Sequence, residues 1–64
     1  MSFLLDTSTT KAEAIILAFR IAHENGIAGY AVEYKNGWMA FDRKPLLRYG
    51  KVIECQANGR EYLA

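Results

Sequence analysis

Asn-Gly occurs three times in this chain, at Asn25-Gly26, Asn36-Gly37 and Asn58-Gly59, and these dipeptides divide it into its elements. Both residue types tolerate positive φ, so each pair marks either a helix stop or a tight chain reversal. Ahead of the first pair, Lys11 to Glu24 contains neither Gly nor Pro. Thr10 and Glu13 have the spacing of a capping box, a hydroxyl for the third amide and a carboxylate reaching back. The pattern predicts a helix over about residues 10–25, with Ile27 placed for the hydrophobic contact of a Schellman end. At about 100° per residue, Ala12, Ile15, Ile16, Ala18, Phe19 and Ala22 form one broad apolar face. Glu13, Arg20 and Glu24 form a polar stripe, and Ala14, Leu17 and Ile21 form a second apolar strip beyond it. A helix on one sheet needs a single apolar face. The second strip is therefore covered by loops or the N-terminal segment, or it is an oligomer or partner interface.

The other two dipeptides read as hairpin turns. Tyr30 to Lys35 and Trp38 to Arg43 flank Asn36-Gly37, and a two-residue turn there would pair Lys35 with Trp38 and Val32 with Phe41. Alternation sends Tyr30, Val32, Tyr34, Met39 and Phe41 to one face, taken as the core, and leaves Trp38 among Glu33, Lys35 and Asp42 on the other. Asn58-Gly59 repeats the device, folding Val52–Ala57 onto Arg60–Leu63 with Ile53, Cys55, Ala57 and Tyr62 on one face. Phe3-Leu4-Leu5 suits a short strand, and Lys44 to Gly50 a connector punctuated by Pro45 and Gly50. The expected fold is a single α+β domain over residues 1–64, one helix on a mainly antiparallel sheet, in the order strand, helix, hairpin, hairpin.

Composition narrows the function classes. With 64 residues, 52% hydrophobic and 23% charged, the chain has the makings of one packed core and no room for a second. One cysteine excludes an intramolecular disulfide and the usual two-cysteine zinc spacings. No apolar run approaches membrane-spanning length, and the first residues lack the basic region of a signal peptide. A cytoplasmic location and no membrane partner are the expectation.

Chemistry-bearing residues are sparse. His23, the only histidine, sits near the helix C-terminus, where it suits the terminal carbonyls and the helix dipole. Cys55 alternates inward with no base nearby in sequence, as a buried structural thiol does. The carboxylates are scattered, and no phosphate-loop glycine pattern occurs. The expectation is a non-enzyme with no cofactor and no metal.

Binding is better supported. Arg43, Lys44, Arg48 and Lys51 fall within nine positions that hold no acid, with Tyr49 interleaved. Basic side chains beside an aromatic can hold phosphates and stack on bases. A sequence pI near 7.9 is low for a nucleic-acid domain, so an acidic protein surface suits the segment as well. Trp38, with Lys35 beside it, is the other candidate, since Trp and Arg are over-represented among interface hot spots.

The run Asn36-Gly37-Trp38-Met39-Ala40-Phe41, in so small a chain with one helix and a sheet, resembles the hairpin of anti-CRISPR proteins that act on type I surveillance complexes. That resemblance implies a phage or mobile-element inhibitor of a host defence complex, working in the host cytoplasm without catalysis, with Trp38 and its flanking charges in contact. The expected function is therefore a non-catalytic protein-binding module whose partner is a host protein or nucleoprotein complex. Its contact residues would be Trp38, Lys35, Arg43, Lys44, Arg48, Tyr49 and Lys51, and a homodimer would form through Ala14, Leu17 and Ile21. The alternative is a small nucleic-acid-binding protein using the Arg43–Lys51 segment.

Overall fold

The computed structural model describes residues 10–35, 37–46 and 50–64. Within them the chain forms α1 (Lys11–Asn25), β1 (Ala28–Tyr34), β2 (Gly37–Phe41), β3 (Val52–Gln56) and β4 (Glu61–Leu63). The strands make one antiparallel sheet in the order β2-β1-β3-β4, with α1 packed over β1, β2 and β3. The α+β architecture is as expected. The strand expected at Phe3-Leu4-Leu5 lies outside the described residues.

The helix begins as its caps dictate. Thr10 Oγ1 accepts from the Glu13 N–H at 3.2 Å, and Glu13 Oε1 accepts from the Thr10 N–H at 3.2 Å. At the other end Gly26 is left-handed (φ 73°) and its N–H donates to the Ala22 carbonyl at 2.8 Å. This is the single-bond αL stop, not the Schellman end expected. The Ile27 N–H is taken by Asn25 Oδ1 at 2.7 Å, and its side chain is 74% exposed, so the predicted hydrophobic contact is absent.

The face on which α1 packs differs from the one read from alternation. Ala14, Ala18 and Ala22, one residue per helical turn, are fully buried, and Ala14 and Ala18 form the helix-side core with Ala31, Ile53 and Cys55. Ile15, Phe19, Trp38 and Ala40 close around it. The helix therefore covers the Ala31, Trp38 and Ala40 face of the sheet, and its buried direction is turned by about 80° from the expected centre. Ala12 and Ile16 are correspondingly exposed. Side-chain size explains the difference. A stripe of alanines packs closely only against small residues, and this face offers Gly29, Ala31 and Ala40. A Cβ built on Gly29 would fall onto the Ala18 carbonyl oxygen, which shows how near the two backbones come. Tyr30, Tyr34 and Phe41 on the other face would hold such a helix away. That face still has a buried centre in Val32, Val52 and Met39.

Ala14 is thus part of this intramolecular core and offers nothing to a second chain, which corrects its assignment to an oligomer interface. Of its two companions, Ile21 is half-buried and Leu17 is 40% exposed.

Both hairpins depart from the two-residue Asn-Gly turn. In the first, Tyr34 pairs with Gly37, Glu33 with Trp38 and Val32 with Met39, so Gly37 belongs to the strand. The slip is two residues in partner, which preserves every face. In the second, Glu54 pairs with Tyr62 and Cys55 with Glu61. The Gln56 carbonyl accepts from the Gly59 N–H at 2.9 Å, the Gln56 N–H donates to the Arg60 carbonyl at 2.8 Å, and Gly59 has φ 90°. That is a three-residue loop closed by a left-handed glycine. A slip of one residue turns a strand over. Tyr62 therefore faces away from the helix, and Leu63 lies beside Ile53 on the helix side.

Candidate functional site

The chain passes from the helix into β1 through Gly26 and Ile27 alone, so α1 runs back along β1 and its first turn lies near the far end of that strand. This brings Lys11 to Trp38, with the ammonium 5.8 Å from the indole centroid, within the range of a cation–π contact. Trp38 is half-buried, its ring packed against the helix-side core. It is not the free-standing exposed side chain that alternation suggests. Its cross-strand partner is Glu33. Glu33 Oε1 accepts from the Lys51 N–H at 3.1 Å, while the Glu33 N–H donates to the Lys51 carbonyl at 2.8 Å. Lys35 stands just beyond, after the last paired residue of β1.

One corner of the molecule therefore gathers three exposed lysines, Lys11, Lys35 and Lys51, about one half-buried indole and one half-buried carboxylate. Among the described residues none of the three ammonium groups forms a salt bridge. Lys11, Lys35 and Lys51 stand against Glu33 and, in the first turn of the helix, Glu13; the small positive excess can hold acidic side chains or phosphates, with Trp38 beside it.

Sequence reasoning reached Trp38, Lys35 and Lys51. It missed Lys11, which stands 27 positions from Trp38 and joins it only through the direction of helix packing. It also joined residues that the fold separates. Arg43 and Lys44 follow the end of β2, where Phe41 pairs with Tyr30, whereas Lys51 adjoins Glu33 at the opposite end of β1. Three residues along a strand and two strand spacings across put the end of β2 at Phe41 roughly 14 Å from Lys51. Arg43 is highly exposed and meets only its neighbour Asp42, with Nε 3.4 Å from Oδ1. Arg48 and Tyr49 lie outside the described residues.

The remaining polar candidates stand apart. His23 is exposed in the last turn of α1. Cys55 is fully buried, and burial, then Glu61 and Glu54, push its thiol up to about 11, the reverse of what a nucleophile needs. Among the described residues no three His, Cys, Asp or Glu side chains gather as metal ligands, and no helix is long and apolar enough to cross a membrane. No family model, no curated protein and no solved structure matches the chain.

Proposed function

We propose that this protein is a non-catalytic binding module that docks on a larger protein or nucleoprotein complex through the corner of Lys11, Lys35, Lys51 and Trp38. The observation that supports the reading is the cluster of exposed lysines, none of them in a salt bridge among the described residues, beside a positioned indole. An exposed basic corner beside an indole suits an acidic surface. In its most concrete form the module is a mobile-element inhibitor acting in the host cytoplasm, with a type I surveillance complex as the target, as the hairpin resemblance implies.

The test is co-elution of the purified protein with a purified type I surveillance complex on gel filtration, beside the variant in which Lys11, Lys35 and Lys51 are changed to Glu. The wild type should move into the complex peak and the variant should not, with its melting temperature held within a few degrees because all three side chains are exposed. Absence of co-elution removes the surveillance complex as target. Equal co-elution of both forms removes the corner as the contact. Nucleic-acid binding is separated by titrating single-stranded DNA and RNA at rising salt. Binding that weakens steeply with log salt would assign the lysines to phosphates instead.

A further inference from the structure

The outer face of α1 carries two large apolar side chains in solvent, Ile16 at 60% and Leu17 at 40% exposure, with Glu13 one turn before them and Arg20 one turn after. The Arg20 side chain makes no hydrogen bond or ion pair among the described residues, and Glu13 uses Oε1 in the cap. We propose that this face is a homodimer interface, in which α1 pairs antiparallel with α1 of a second copy about a two-fold axis passing between Ile16 and Leu17.

The pattern is self-complementary about that axis, which is what a two-fold interface requires. With the axis between positions 16 and 17, Ile16 of one copy lies level with Leu17 of the other, and Glu13 lies level with Arg20. Each of the four is then matched, apolar to apolar and acid to base. Glu13 and Arg20 are both about 5 Å from the axis at the helical rise, near enough to meet across an antiparallel helix pair. No heterologous partner needs this symmetry, and a helix with the same two charges exchanged for like charges would repel its own copy. The size of the domain adds a motive: a chain of 64 residues has room for one small core, which a second copy supplements. The corner at Lys11 lies about 8 Å along the helix from the axis, so the dimer leaves both corners open. The contact is small beside a standard interface of about 1,600 Å², so the dimer should be weak, with dissociation in the micromolar range.

Sedimentation equilibrium of the full chain across micromolar to millimolar concentration tests it. The wild type should pass from one-chain to two-chain mass. Leu17→Asp should weaken association at least about tenfold, as loss of a central apolar contact does, whereas Ile27→Asp, at an exposed apolar position far from the axis, should leave it unchanged. Arg20→Glu should weaken it, and adding Glu13→Lys to that variant should restore it. A wild type that remains one chain at every concentration overturns the proposal. So does a dimer that Ile27→Asp dissociates or Leu17→Asp does not. These measurements need no external partner, so their failure leaves the corner reading untouched.

Discussion

At Gly29 the backbones of α1 and β1 come so close that one added methyl group meets the Ala18 carbonyl, a rigid neighbour that can yield only if the helix lifts. Gly29→Ala should therefore destabilise the fold by at least about 2–3 kcal/mol, near the top of the usual range for overpacking, and urea unfolding would measure it. Gly59→Ala makes a useful contrast. Position 59 is open to solvent but left-handed, so its cost is conformational alone, about 1–2 kcal/mol. Cys55 is a second residue whose surroundings have a measurable consequence. Its thiol is raised from 9.0 to about 11, first by burial and then by Glu61 and Glu54. Below pH 9 the thiol is protonated in the folded and the unfolded chain alike and has no effect on stability. Between pH 9 and about 11 the unfolded chain releases the proton and the folded chain does not, so stability falls as pH rises through that window. From pH 8 to pH 10.5 the wild type should lose about 2 kcal/mol more than Cys55→Ala, read from urea midpoints, since one pKa unit is about 1.4 kcal/mol. Identical slopes for the two proteins would show that the thiol is not held protonated.

The elements were legible to different depths, for physical reasons that differ. The helix could be read at both ends because its signals are local: Thr10 and Glu13 satisfy each other's orphan groups three residues apart, and Gly26 takes the left-handed stop. Thr10→Ala should cost about 1 kcal/mol of stability by thermal or urea melting, and a neutral result would mean that tertiary contacts alone hold this end. Hairpin existence was equally local, but register was not. Asn-Gly can close a two-residue turn, end a three-residue loop or sit one step along, and the choice is made by what the flanking strands bury. At Asn58-Gly59 the three-residue solution turns Tyr62 away from the helix side, a result no inspection of the dipeptide could supply. The sheet face that takes the helix was hidden for a related reason. Alternation separates Tyr30, Val32 and Tyr34 from Ala31 and Glu33 correctly, yet bulk on the first set suggested a core there. The deciding property is the fit of the alanine stripe to Gly29, Ala31 and Ala40. Sites inherit these errors. Trp38 was visible as a large aromatic among the charges of the Asn36-Gly37 hairpin, but its burial and its Lys11 partner depend on where the helix lies.

Across the described residues, one helix lies on one four-stranded sheet, and the groups that distinguish this chain are on the surface. The lysine corner occupies the end of the sheet at the helix N-terminus, the Ile16 and Leu17 pair occupies the outer helix face, and Arg43 with Lys44 stands at the opposite end of the sheet. A binding module built this way should show its contact residues without unfolding or rearrangement. The corner is therefore best tested by ¹⁵N–¹H NMR of the wild-type protein, titrated separately with a poly-glutamate peptide and a single-stranded DNA oligonucleotide. Amide shifts centred on Lys11, Lys35, Trp38 and Lys51, larger for the acidic peptide, are the expected result. Shifts centred on Arg43 and Lys44, or none with either probe, would contradict the assignment of the corner as the binding surface.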